Sequence, residues 1–189
     1  MAVRRIAVTG GPGAGKTTLW RELSQAYAGR VVPVPEVATL LFQHVFPPVT
    51  CELERRAVQR AIFHVQRELE HVHESGARPD QILLCDRGTV DGGGYWPDGH
   101  EAFFGELSTS WPQELARYDA VLFLETAARG GLAIDAGNAV RSEDLATAVS
   151  IDGRLRDVWS SHPRFLHVPH TQQFSDKLSL AREAFAKLL

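Results

Sequence analysis

Short apolar runs alternate along the chain with longer stretches in which apolar residues recur every three or four positions. The runs Ile6-Ala7-Val8, Ile82-Leu83-Leu84-Cys85, Ala120-Val121-Leu122-Phe123-Leu124 and Phe165-Leu166-His167-Val168 predict strands over 5–9, 81–85, 120–124 and 165–168. Val31-Val32-Pro33-Val34-Pro35 predicts a further strand, short because its prolines cannot donate to a ladder on both sides. Helical spacing predicts helices over 16–28, stopped by Gly29, and over 37–45, stopped by Pro47-Pro48. A long helix is expected over 51–74, with Thr50 as N-cap and an inner stripe of Leu53, Ala57, Ala61, Val65, Leu69 and Val72. Short helices are expected near 102–107 and 113–117, and longer ones over 143–160 and 175–189. The last of these would have Leu178, Ala181, Phe185 and Leu188 as its inner face. The glycine-rich stretch 91–99 reads as a loop, and 125–141 as irregular.

Strands separated by helices imply a parallel sheet covered on both faces. The 189 residues suit one α/β domain. Within it, 126–160 is a candidate lid, with glycine hinges followed by a charged helix. The hydrophobic fraction of 44% and charged fraction of 23% are those of an ordinary globular chain. A net charge of −3 argues against a general nucleic-acid or membrane binder. No apolar run is long enough to span a bilayer. The stretch 1–8 reads as the approach to the first strand rather than a secretory leader. Cys51 and Cys85 lie in no metal-like or disulfide-like spacing, and a reduced, cytoplasmic setting is expected. The eight histidines form no metal-ligand pattern.

Local chemistry is concentrated at strand ends. Gly10-Gly11-Pro12-Gly13-Ala14-Gly15-Lys16-Thr17 matches G-x-x-x-x-G-K-[ST], directly after a strand and opening a helix. Small residues let backbone N–H groups approach a triphosphate, and the helix adds free N–H groups and a positive dipole end. The cradle is expected over Gly11, Pro12, Gly13, Ala14, Gly15, Lys16, Thr17 and Thr18. Lys16 would reach the β- and γ-phosphates and Thr17 would place its hydroxyl on Mg²⁺.

In an open parallel sheet, ligands collect beyond the C-terminal strand ends. Asp86 ends the third strand, where a carboxylate can sit near Mg²⁺; Arg87 follows it, and Glu36 follows the second strand. Either Glu36 or Asp86 could take a proton from an acceptor hydroxyl. In the candidate lid, Arg141, Arg154 and Arg156 could neutralise phosphate charge, with Arg141 foremost; alternatively Asp152 and Arg156 form an ordinary i, i+4 pair. Tyr95 and Trp96 either stack on a ligand ring or anchor their loop in the core. Arg56, Arg60 and Arg67 read as a solvated helix face.

Four segments together resemble a known family: the phosphate loop with Thr18, Val34-Pro35-Glu36-Val37-Ala38, Cys85-Asp86-Arg87-Gly88 with Asp91-Gly92 and Tyr95-Trp96-Pro97, and Asn138 with Val140-Arg141-Ser142-Glu143. They look like the small P-loop family labelled as an AAA-type ATPase domain. That family is similar to the ribosylnicotinamide kinase part of bacterial NAD regulators and to the TRPL translocation-defect protein. More distantly, Glu36 and the Asp86-Arg87 pair resemble the acid after strand two and the acid-arginine pair after strand three of deoxynucleoside and thymidylate kinases. The resemblance implies a three-layer sandwich with strand order 2-3-1-4-5 and places Glu36, Asp86 and Arg87 on the acceptor side. An AAA+ motor would instead carry an acid pair after the third strand and a further helical domain.

The reading that follows is a Mg-ATP-dependent phosphotransferase acting on a small metabolite that is nucleoside-, nucleotide- or riboside-like. The principal alternative is an ATP- or GTP-binding switch with slow hydrolysis. Absence of N-K-x-D lowers a Ras-like reading without removing GTP. A nucleic-acid end kinase is disfavoured by the net charge.

Overall fold

The computed structural model describes residues 3–131 and 144–189. Strands β1 (Arg4–Thr9), β2 (Val31–Val34), β3 (Ile82–Asp86), β4 (Ala120–Leu124) and β5 (Phe165–Val168) form one parallel sheet in the order β2-β3-β1-β4-β5. The central strands are the unbroken apolar runs, because both of their faces are covered: every residue of β3 and β4 is buried. β2 is a four-residue edge strand in which Pro33 is exposed, where its missing N–H costs no ladder bond.

Alternate strand residues feed two cores. Ile6, Val8, Leu84 and Leu122 pack against Leu19 and Leu23 of α1 (Lys16–Ala26) and against Leu178, Ala181 and Phe185 of α8 (Phe174–Ala186). On the other face, Ala7, Leu83, Cys85 and Val121 pack with Phe63 of α3 (Glu52–Ser75). They also meet Trp96, with Phe103 and Phe104 of α5 (His100–Glu106), Leu115 of α6 (Trp111–Leu115), and Val158 and Trp159 of α7 (Leu145–Ser160). Helix α2 (Val37–His44) follows β2, and α4 (Asp91–Tyr95) follows β3. The result is a three-layer α/β/α sandwich.

Three local expectations are corrected. The stripe expected to bury α3 points mostly outward: Leu53 and Val72 are 76% and 64% exposed. The buried positions are Val58, Gln59, Phe63, Gln66 and Glu70. Gln66 and Glu70 find buried partners, since Gln66 Nε2 donates to Glu70 (2.9 Å) and Tyr118 Oη donates to the same carboxylate (2.7 Å). Periodicity counts apolar side chains, so it mistakes a helix that buries satisfied polar groups. The N-cap of α3 is Cys51, while the Thr50 hydroxyl donates to Glu54 at 2.9 Å. The stretch expected as a flexible glycine loop opens with α4, whose three glycines are buried. A Cβ on Gly92 would lie 2.3 Å from Phe103, and one on Gly94 2.8 Å from Leu155, so these glycines serve close packing.

Candidate functional site

β1 delivers the chain into the phosphate loop, and Gly10, Gly13 and Gly15 turn it at positive φ (138°, 69° and 86°). A Cβ on Gly10 would lie 1.9 Å from the Leu124 carbonyl oxygen, so only glycine lets the loop leave the sheet past β4. α1 begins at Lys16 with Gly15 as its cap; among the described residues no side chain caps it and its first turn holds no acid. Its leading N–H groups thus remain for an anion. Pro12 and Ala14 are buried, Gly13 and Thr18 are exposed, and the Lys16 ammonium lies over the loop, donating to the Gly11 carbonyl at 2.7 Å.

Pairing of Val8 with Asp86 sets the end of β3 beside the entrance to the loop. There the Thr17 hydroxyl donates to Asp86 Oδ2 at 3.0 Å, while Asp86 Oδ1 is buried with no hydrogen-bond partner among the described residues. Burial, reinforced by the Glu36 charge and opposed by Lys16 and Arg87, pushes the Asp86 carboxyl up to about 6. A hydroxyl beside a carboxylate with an unsatisfied oxygen, at the mouth of a phosphate loop, is a donor set that suits Mg²⁺. Among the described residues no group of three or more His, Cys, Asp or Glu could hold a metal ion, so phosphate and water oxygens would complete such a shell.

Arg87 turns the chain at φ 73°, a conformation rare outside glycine, and its buried guanidinium is thereby aimed along the sheet edge. Nε donates to Glu36 Oε1 at 2.5 Å and Nη1 to Asp91 Oδ2 at 3.2 Å. Thr39 donates to the other Glu36 oxygen at 2.6 Å. Thr9 and Trp159 donate to Asp91 Oδ1 at 2.7 and 2.6 Å. Glu36, Arg87 and Asp91 thus form one charged cluster that joins the ends of β2 and β3 to α4 and α7.

Arg87 also lines a cavity of about 720 Å³ between α2, α3, α4 and α7. Its apolar wall includes Phe42, Phe46, Ile62 and Phe63, and its polar lining includes Gln59, Gln66, Thr89 and Tyr95. The glycine-rich stretch therefore divides its aromatics: Tyr95 faces the cavity, whereas Trp96 is buried against Phe103 with Arg56 4.9 Å above its ring.

The arginines of the solvated α3 face meet acids: Arg56 pairs with Glu52 and Asp98, Arg60 with Glu106, and Arg67 with Glu114. Of the candidate lid arginines, Arg154 lines the cavity and Arg156 is exposed; Arg141, with the rest of 132–143, lies outside the described residues.

Several side chains that hold the site were not assigned to it from the sequence. Buried Asp152 accepts from Gly11 N–H at 3.0 Å instead of making a simple helix-surface pair with Arg156. Thr126 donates its hydroxyl to the Pro12 carbonyl, and Lys177 donates to the Ala14 carbonyl at 2.7 Å. Burial draws the Lys177 ammonium down to about 8. Phe174, half exposed at the start of α8, lies against Gly15, where a Cβ would come within 2.4 Å of its ring. Only the exposed, apolar Phe174 beside a polar turn offered a local signal.

Over residues 5–176 the chain matches the model of a family described as an AAA domain. The chain belongs to that family. No curated protein matches it. This AAA-domain protein is a P-loop nucleotide-binding protein, with its phosphate loop, Thr17–Asp86 pair and cavity at one sheet edge. Among the described residues no helix is long and apolar enough to cross a membrane.

Proposed function

We propose that this AAA-domain protein is a Mg-ATP-dependent phosphotransferase that moves the γ-phosphate to a hydroxyl of a small metabolite. The observation that carries the reading is the cavity whose wall includes Arg87, the residue that also binds Glu36 beside the Asp86 strand end. A nucleotide switch has no need of a second, metabolite-sized chamber there.

Roles follow from position. Lys16 and the loop N–H groups hold the phosphates, and Thr17 with Asp86 holds Mg²⁺, which supplies charge neutralisation on the transferring group. With Asp86 given to Mg²⁺, Glu36, held by Arg87 and Thr39 at the neighbouring strand end, is the carboxylate left for an acceptor. In the transfer, the acceptor hydroxyl gives its proton to Glu36, its oxygen bonds to the γ-phosphorus, and the bond from that phosphorus to ADP breaks. Arg87 and Thr39 orient Glu36 through their hydrogen bonds to its two oxygens. A lid arginine, Arg141 or Arg154, adds positive charge as transfer proceeds. The protein works in the cytoplasm.

The cavity lining narrows the acceptor. Apolar walls fit a planar or aliphatic body, and the Gln66 amide, tied to Glu70 through Nε2, has its carbonyl oxygen left to offer a ligand N–H or O–H. A nucleoside- or riboside-like molecule meets both requirements. The test is acceptor-dependent ADP release from Mg-ATP across nucleosides, nucleoside monophosphates and pyridine ribosides. At least one should raise release well above the acceptor-free rate. A protein that binds Mg-ATP yet releases ADP at one slow rate whatever is added would be a switch instead.

A further inference from the structure

Helix α7 is bonded to both halves of the site. Asp152 is fully buried, and its Oδ1 accepts from the backbone N–H of Gly11 (3.0 Å) and of Thr126 (2.9 Å) while Oδ2 accepts from Arg129 Nε (3.0 Å). Gly11 makes the approach possible, since a Cβ there would lie 2.7 Å from the Asp152 Cβ. On the same helix Thr147, Ile151 and Arg154, at i, i+4 and i+7, line the cavity. Two turns beyond Asp152, Trp159 donates to Asp91, which holds Arg87. A rigid helix is therefore fastened at one point to the backbone that wraps the phosphates and at another to the charged cluster on the cavity wall.

We propose that Asp152 is a positioning residue that couples occupancy of the phosphate loop to the placement of α7, and through α7 to the cavity wall. The proposal rests on nucleotide binding at the loop and is independent of whether a phosphate is transferred. A carboxylate is an expensive choice beside a site for anions, because the charges repel. Three donors converge on it, however, and a single amide oxygen could not serve them all. Its charge is met by Arg129. The tight approach to Gly11 leaves no room for the longer Glu. Coupling of this kind is reciprocal: whatever fills the cavity and moves α7 also changes nucleotide affinity by the same factor.

The test uses the full chain with Mg-ADP as the probe, so no acceptor or turnover is needed. In wild type, saturating Mg-ADP should slow amide hydrogen exchange across Leu145–Ser160 by about tenfold or more. Asp152→Ala should bind Mg-ADP about tenfold more weakly and lose the α7 response. Asp152→Asn keeps an oxygen for Gly11 and Thr126 and should hold affinity within about threefold of wild type. If the alanine variant does not fold, Gly11→Ala pushes the loop off Asp152 from the other side and should abolish the same response. A folded Asp152→Ala with wild-type Mg-ADP affinity and an intact α7 response would overturn the proposal. So would a wild-type α7 whose exchange ignores Mg-ADP. A merely structural Asp152 would lower the melting temperature and leave the ligand response in place.

Discussion

The phosphate loop and the cavity opposite it share one sheet edge but are made by contrary means. The loop is eight consecutive residues whose working groups are mostly backbone N–H, so its shape follows from glycines at set positions and a helix that starts on time. The cavity is assembled from four helices, and its polar groups are oriented by ion pairs between residues tens of positions apart, such as Arg87 with Glu36. A backbone site tolerates substitution of most of its neighbours. A side-chain site depends on each member having its partner, because an unpaired charge in a buried setting is costly.

The contrast can be broken most forcefully at the loop. Lys16→Ala should reduce Mg-ATP turnover by about 10²- to 10³-fold, the scale for losing one donor to developing phosphate charge, while the melting temperature stays near wild type. A folded variant with wild-type turnover would mean that backbone groups alone carry the phosphates.

Asp86, where the two regions meet, gives a prediction of opposite signs. In the folded chain its carboxyl keeps its proton up to about pH 6, against an ordinary value of 3.8. The folded state therefore binds more protons than the unfolded one between those values, and stability falls as pH rises through that window. Asp86→Asn removes the buried charge. Without ligand it should be more stable than wild type at pH 7, with the difference shrinking as pH falls and vanishing below about pH 4. The same variant should lose magnesium-dependent nucleotide affinity. Urea melts at pH 4 and pH 7 and a magnesium titration of ATP binding check both signs; a stability difference independent of pH would show that the charge is not the cause.

A smaller effect sharpens the account of the cavity wall. Gly92→Ala puts a methyl against Phe103 and should destabilise by about 1–2 kcal/mol, since overpacking outweighs the better helix propensity. Gly105→Ala, in α5 with nothing within 4 Å, should stabilise by up to about 1 kcal/mol. Equal shifts of melting temperature would return the 91–99 stretch to a flexible loop.

The same contrast explains what could be read from the sequence. The strands, their order and the phosphate loop were legible because each rests on local patterns: buried runs, a loop motif, and a resemblance that covers both. Glu36, Asp86 and Arg87 were legible as strand-end charges, and the structure brings the three within one network. The buried face of α3 was not, because Gln66 and Glu70 look like surface residues until Tyr118 and Arg117 are placed beside Glu70. Asp152 entered only in the alternative reading of a helix-surface pair, because its partner Gly11 lies 141 positions away. Lys177, 163 positions from Ala14, carried no local signal at all.

In the proposed reaction the cavity receives an acceptor whose hydroxyl is activated by Glu36. Glu36→Gln preserves shape and removes the charge, and the decisive measurement is paired: Mg-ATP affinity and acceptor-dependent ADP release in wild type and variant. The account predicts that affinity changes little and that release falls by about 10²-fold or more. Equal release from a folded Glu36→Gln protein would contradict it and leave the cavity without a reaction to serve.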